Sequence, residues 1–161
     1  MSHNSRCASA KHPNCRCSCG GSLHGGMVMN SRRLKRKPKV FVSFHTQDRH
    51  AKELLLAQAK NRNSNLQFSN QSVDQPFRNK WKTKTKNKIR NSSTTVVMVG
   101  KDTYRRPAVQ WEIEQSRKAG NKIVAVQIHK NRHHRLPPGI KKTEEMKWKT
   151  DALSKRIRKR R

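Results

Sequence analysis

The sequence predicts an α/β domain built on a doubly wound parallel sheet of four to five strands, with a Cys-rich N-terminal tail. Three observations lead to this fold class. Short apolar runs rich in β-branched residues alternate with segments whose apolar residues recur at helical spacing. The run TTVVMVG, from Thr94 to Gly100, is apolar on both faces, as a central parallel strand requires. Alternating strands and helices, joined by right-handed crossovers, place helices on both faces of the sheet.

The composition confines this domain to part of the chain. Only 31% of the 161 residues are hydrophobic, so the ordered core must be limited in extent. We divide the chain into a Cys/His-containing tail at residues 1–26, a basic linker at 27–38 and the α/β domain at 39–160, which ends in a basic helix. The formal net charge of +30 either attracts polyanions such as nucleic acid and charged cofactors or simply keeps the surface solvated.

The N-terminal tail contains all four cysteines of the chain. It lacks hydrophobic periodicity, which predicts disorder unless a ligand folds it. Zinc is one such ligand, because thiolates and imidazoles are its usual partners. The spacing differs from the paired CxxC of ordinary zinc sites, so a zinc knuckle and a flexible tail both stay open. The candidate ligands are Cys7, Cys15, Cys17, Cys19 and His24.

The expected cellular compartment follows from two kinds of segment that the sequence lacks. The first residues contain no apolar signal-peptide core, and no run reaches the length of a transmembrane helix. We therefore expect a cytoplasmic protein that does not associate with membranes and that keeps its cysteines as thiols.

The first half of the domain begins with a strand, KVFVSF, from Lys39 to Phe44. Asp48 or Thr46 is expected to cap the helix that follows, which continues to about residue 60. A second, very short strand is predicted at Leu66 to Phe68. The apolar residues of the helix recur at helical spacing at Ala51, Leu54, Leu55 and Ala59.

A strongly basic helix is predicted from Arg78 to Asn91. Its residues Trp81, Thr85 and Ile89 share one face by their four-residue spacing. The charged remainder has two interpretations, a solvated face or a helix that binds nucleic acid, and composition favours the solvated face.

A further helix follows Pro107 and ends at Gly120, a typical C-terminal residue. It contains Glu112 and Glu114, two of only nine acidic residues in the chain. Glu114 has Lys118 four residues later, the favourable orientation for a surface ion pair. Glu112 has no such partner, which leaves a catalytic role or simple placement near a helix N-terminus.

The last third of the domain contains a strand from Lys122 to Ile128 and a loop with three histidines. The histidines form either a titrating surface or a metal site, and the surrounding arginines favour the surface. An edge strand is expected at Glu144 to Trp148. Thr150 or Asp151 then caps a helix that continues into a basic terminus.

The topology places a ligand site at one edge of the sheet. In doubly wound sheets, ligands bind beyond the carboxyl ends of the strands. The loops after Phe44, Phe68 and Gly100 meet at that edge. Glu112 lies on the helix after Gly100, so we expect it to face the same crevice.

Four motifs taken together resemble the TIR-like domain of the Thoeris antiphage-defence family (ThsB type) over about residues 39–160. They are KVFVSF, SVDQPF, IRNSSTTVVMVG and QWEIEQSRKAGNKIVAVQI. The resemblance implies a flavodoxin-like sheet and Glu112 as the catalytic acid. It also implies a substrate, NAD, that is contacted by Ser43, Phe44, Ser72, Asp74, Phe77, Lys101 and Trp111.

Related domains cleave the nicotinamide glycosidic bond of NAD to give ADP-ribose or a cyclic ADP-ribose-type signal. Cleavage develops oxocarbenium character on the ribose, which a carboxylate can stabilise. Two positions depart from the family pattern. Ala108 stands where many relatives carry Trp, and Ser69-Asn70-Gln71 stands where an Asp often follows the second strand.

The leading hypothesis is therefore an enzyme that converts NAD into a nucleotide signal for an effector protein in antiviral defence. An alternative is a non-catalytic TIR-like module whose basic surface binds nucleic acid. A third possibility is an assembly adaptor that acts through self-association.

Overall fold

The structure is a computed structural model that describes residues 37–61, 64–66, 68–70 and 80–159. The described residues all belong to one unit of the chain, Lys37–Arg161. The predicted zinc ligands Cys7, Cys15, Cys17, Cys19 and His24 lie outside the described residues, as do Ser72, Asp74 and Phe77 of the predicted substrate loop.

Among the described residues, the sheet has five strands, all parallel, in the order β2-β1-β3-β4-β5. This order is that of a doubly wound sheet, so the predicted fold class is confirmed. β1 and β3 lie side by side at its centre, with Ser43 next to Val97. The strands are β1 (Lys39–Ser43), β2 (Ser69–Asn70), β3 (Thr94–Val99), β4 (Lys122–Gln127) and β5 (Glu145–Lys147).

In the part of the chain that the structure describes, four α-helices cover the two faces of the sheet. They are α1 (Arg49–Lys60), α2 (Trp81–Arg90), α3 (Pro107–Lys118) and α4 (Thr150–Arg158). One apolar cluster packs α1 and α4 against alternate strand residues, and its members include Val42, Leu55, Met98, Leu153 and Ile157. The other packs α3 against the opposite face, through Val97, Val99, Val109, Ile113 and Ala125 among others. β3 is buried along its whole length, as its apolar sequence predicts.

The basic helix α2 packs next to α3. Its residues Thr85 and Ile89 are fully buried and Trp81 is partly buried, which confirms the predicted apolar face. The remaining residues of α2 leave a broad cationic surface, because Lys82, Lys84 and Lys86 are exposed.

Some predicted boundaries are wrong. The second strand was expected at Leu66–Phe68, but pairing with β1 begins at Ser69. Leu66 and Phe68 are buried against the core without forming the strand, because hydrophobicity reports burial rather than strand pairing. Leu54 is 53% exposed, since it lies off the line on which Ala51, Leu55 and Ala59 are buried.

The predicted helix caps also differ from the structure. Asp48 occupies the cap position of α1, but its carboxylate makes no cap hydrogen bond. α4 begins at Thr150, so the cap position is occupied by Lys149 rather than by Thr150 or Asp151. Gly120, with φ of 73°, ends α3 as expected. Among the described residues, no helix is long and apolar enough to cross a membrane.

Candidate active site

Glu112 and Ser43 meet at the carboxyl end of β1. Ser43 is the last residue of the strand, and Glu112 lies in the second turn of α3, which begins at Pro107. The Ser43 hydroxyl donates a hydrogen bond of 2.5 Å to Glu112 Oε2. Both side chains are buried, with exposed fractions of 1% for Ser43 and 8% for Glu112. Glu112 therefore lies at the carboxyl edge of the sheet, where its hydrogen-bond partner is Ser43.

Burial perturbs the acidity of Glu112. Desolvation raises the pKa of Glu112 to about 7, because a charged carboxylate is poorly stabilised away from water, and the hydrogen bond from Ser43 opposes this rise. Near neutral pH, Glu112 therefore exchanges between neutral and charged forms. Perturbed acids of this kind are concentrated at functional sites.

Glu114 provides a contrast two residues further along the same helix. It is exposed, and its carboxylate forms the expected ion pair with Lys118 at 2.6 Å. α3 also has no acid in its first turn, so placement near the helix N-terminus does not account for Glu112. The two acids of α3 thus occupy different environments.

A second polar cluster lies at the carboxyl end of β3. The amide of Gly100 donates to Thr103 Oγ1 at 2.8 Å, and Thr103 Oγ1 donates to Asp48 Oδ2 at 3.3 Å. Asp48 is buried, and this contact replaces its expected role as a helix cap. The sequence signal for the cluster is a Gly directly after a buried strand, at a position where another backbone or side chain approaches closely.

A glycine is required at position 100 because a larger side chain has no room there. A Cβ at this position would lie 2.3 Å from Asp48 Oδ2, and the short Asp side chain is enclosed. We expect Gly100→Ala to lower the free energy of unfolding by about 1 to 3 kcal/mol, as overpacking does. Urea unfolding measures the effect. In the Asp48→Ala background the same change should cost much less, and strictly additive losses would contradict the proposed clash.

His45 and Arg106 lie near the same edge, and sequence patterns did not identify His45. His45 Nε2 and Arg106 Nε are buried and meet no hydrogen-bond partner among the described residues. Burial lowers the pKa of His45, and the charge of Arg106 lowers it further, against smaller opposing effects of Asp48 and Asp102. Buried polar groups without partners are uncommon in folded proteins, so a bound water or ligand atom is expected to satisfy these two nitrogens.

The other predicted contact residues are dispersed. Phe44 packs against the apolar cluster of α1 and α4, with Lys52 Nζ 4.7 Å from its ring centre, and thus lies in the layer opposite α3. Lys101 is exposed in the loop after β3. Trp111 is half-buried and meets Trp81 of α2 in a T-shaped contact, with ring centres 5.1 Å apart.

The histidine loop after β4 is held by a buried glutamine. Gln127 donates to the carbonyl of His134 at 2.9 Å and accepts from the amide of His134 at 3.0 Å. His129 Nδ1 lies 2.7 Å from His134 Nε2. Within residues 37–61, 64–66, 68–70 and 80–159, no three His, Cys, Asp or Glu side chains are grouped to hold a metal.

The fold is that of a TIR domain. The structure is similar to the crystal structure of the TIR domain of the Toll-related receptor TRR-2 from Hydra magnipapillata, with a TM-score of 0.54 and 14% sequence identity. The match covers 76% of this chain and 94% of that chain, and at this identity it shows the fold alone.

The family follows from the sequence match. The family model described as "Thoeris protein ThsB, TIR-like domain" matches residues 41–133, a segment that includes both Ser43 and Glu112. The chain belongs to this family, as the four motifs predicted. No curated protein matches the chain.

Proposed function

We propose that this TIR-like domain consumes NAD by cleaving its nicotinamide glycosidic bond. One observation carries the proposal: a buried carboxyl group, Glu112, is held by Ser43 at the carboxyl end of the central strands. This edge is where doubly wound sheets bind their ligands. Burial keeps most water away from the carboxyl, so its charge acts more strongly on a bound substrate than it would in water.

In the proposed reaction, the bond between ribose C1′ and the pyridinium nitrogen breaks, and its electron pair neutralises the nicotinamide ring. The ribose passes through an oxocarbenium-like state, which the Glu112 carboxylate stabilises or orients through the ribose hydroxyls. Attack by water at C1′ gives ADP-ribose and a proton. Attack by an adenine nitrogen of the same molecule gives a cyclic product instead.

Several side chains are proposed to hold the substrate. Ser43 orients Glu112, and Lys101 supplies a cation in the loop after β3. The pyrophosphate is proposed to bind near Arg106 and His45, whose buried nitrogens lack partners among the described residues. The proposed substrate loop contributes Ser72, Asp74 and Phe77. We leave out Phe44, because its ring packs in the opposite layer. We also leave out Trp111, because its ring meets Trp81 in the groove between α2 and α3.

In the context of Thoeris defence, the product is proposed to act as a signal to an effector protein in the cytoplasm, and self-association is proposed to assemble the active form. A zinc knuckle at Cys7, Cys15, Cys17, Cys19 and His24 is a separate proposal. Metal analysis of the full-length protein tests it, and a protein purified with zinc in the buffer that contains no bound zinc would rule it out.

The proposal predicts a characteristic pH dependence. The reactive form of Glu112 is the carboxylate, and burial raises the pKa of Glu112 to about 7. Nicotinamide release by the purified protein should therefore rise about tenfold per pH unit below pH 7 and level off above it. Chromatographic analysis of products from pH 5.5 to 8.5 measures both the rate and the identity of the nucleotide formed.

Ser43→Ala provides the matched test of this assignment. The hydrogen bond from Ser43 holds the pKa of Glu112 lower than burial alone would, so its removal should move the midpoint of the profile to higher pH. Absence of nicotinamide release at every pH would reject the proposed activity for the purified chain. A profile that falls with pH would reject the carboxylate as the reactive form.

A further inference from the structure

A groove of about 490 Å³ lies on the outer surface between α2 and α3. We call it the α2–α3 groove. Its α2 wall is lined by three cationic side chains, Lys82, Lys86 and Arg90, together with Thr83 and Asn87. Its α3 wall is lined by Trp111 and Gln115. Among the described residues, neither wall contributes an acid to the groove. Glu112 turns inward to Ser43, and Glu114 pairs with Lys118.

The three cations are regularly spaced. Lys82, Lys86 and Arg90 are four residues apart on one helix, so they form a row with about 6 Å between successive positions along the axis. A row of point charges with this repeat fits the backbone of an extended polynucleotide strand. The sequence of α2, WKTKTKNKIR, contains five cationic residues and no acid, so nothing on the helix neutralises the row.

The aromatic side chain distinguishes this groove from a merely charged surface. Trp111 is half-buried, and its T-shaped contact with Trp81 of α2 fixes the indole at the groove wall. An ordered aromatic ring beside a row of cations is the arrangement that proteins use for single strands, where bases stack on rings and phosphates follow the charges. A preorganised ring loses little entropy when a base stacks on it.

We propose that the α2–α3 groove binds single-stranded nucleic acid, with phosphates along Lys82, Lys86 and Arg90 and one base against Trp111. This interaction is independent of NAD chemistry. The inward face of α3 presents Glu112 to Ser43, whereas the groove uses its outer edge, so one helix serves two sites.

The test uses the full-length chain and a fluorescent twelve-nucleotide oligo(dT), with fluorescence anisotropy measured over a series of salt concentrations. The groove variant replaces Lys82, Lys86 and Arg90 by Ala. The control variant replaces three exposed cations elsewhere, Lys60, Lys130 and Lys149, by Ala, and therefore has the same net charge. Ala is a favourable helix residue, and circular dichroism confirms that both variants fold.

We expect the groove variant to reduce the slope of log affinity against log salt by about 2, since each phosphate contact on a single strand contributes about 0.7. The control variant should change the slope little. Trp111→Ala should weaken oligo(dT) binding about tenfold, in line with the loss of one stacked base, while leaving the binding of inorganic polyphosphate unchanged.

Three outcomes would overturn the proposal. Equal losses in the groove and control variants would show that only the total charge matters. If Trp111→Ala weakened polyphosphate binding as much as oligo(dT) binding, the result would exclude a base stacked on Trp111. Tighter binding of a duplex of the same length would show that the groove does not prefer single strands.

Discussion

Replacing Glu112 by Gln is expected to lower nicotinamide release from NAD by about 10²- to 10³-fold at pH 8. The amide has nearly the shape of the carboxyl group, and its oxygen can still accept the hydrogen bond from Ser43. It has no negative charge to offer to an oxocarbenium-like ribose, and loss of one preorganised electrostatic group has an effect of this size. The measurement is the single-turnover rate of nicotinamide release, which separates the chemical step from product release.

Glu114→Gln is the matched control for this prediction. It makes the same chemical change two residues away on α3, at an exposed side chain that pairs with Lys118. Its rate should stay close to that of the unmodified protein. Full activity in Glu112→Gln, or equal losses in both variants, would show that the reaction does not depend on the buried acid.

The same Glu112→Gln substitution is expected to stabilise the folded domain by about 3 kcal/mol at pH 8. The pKa of Glu112 lies at about 7 in the folded protein, against an ordinary value of 4.5. The folded state therefore holds a proton that the unfolded chain releases between these values, and stability falls as the pH rises through this window. A neutral Gln avoids that loss, and each pKa unit corresponds to about 1.4 kcal/mol.

The pH dependence identifies the cause of the stabilisation. Below pH 4.5 the unmodified protein keeps Glu112 protonated in both states, so the two proteins should have similar free energies of unfolding. The difference should grow from pH 4.5 to 7 and remain constant above. Urea unfolding at pH 4.5, 6 and 8 measures this, and a difference that does not change with pH would contradict a buried, titrating Glu112.

Together these two expectations describe a site that lowers the stability of the folded domain. A buried carboxylate weakens the fold at neutral pH, while the proposed chemistry needs that same charge in a place shielded from water. A purely structural residue at this position would be expected to be neutral, as Ser116 is on the same buried side of α3.

Local patterns predicted most of the elements. The continuous apolar run predicted strand β3, and the four-residue spacing predicted the buried face of α2. Both predictions were confirmed, because each pattern reflects a requirement of the buried structure. The ion pair of Glu114 with Lys118 was confirmed for the same reason, because both partners lie on one helix. Strand β2 was misplaced, since which residues pair depends on the neighbouring strand and not on local hydrophobicity.

Contacts between distant parts of the chain could not be predicted from local patterns. Ser43 and Glu112 are separated by 69 residues, and Asp48 and Thr103 by 55. The sequence order and the rule for parallel sheets placed Glu112 at the correct edge, but only the packing of α3 against β1 decided that its partner is Ser43. The same packing turned Trp111 toward Trp81, on a face that residue spacing alone did not assign.

By itself, the sequence determined the fold class and the family, and it separated Glu112 from Glu114, because strand hydrophobicity, helical spacing and motif order are properties of the chain. The tertiary structure alone decided the environment of that acid. Burial and a single hydrogen bond set its acidity, and the side-by-side packing of α2 and α3 made a groove from residues that are far apart in sequence. These properties depend on distances and on exclusion of water, which exist only once the chain has folded.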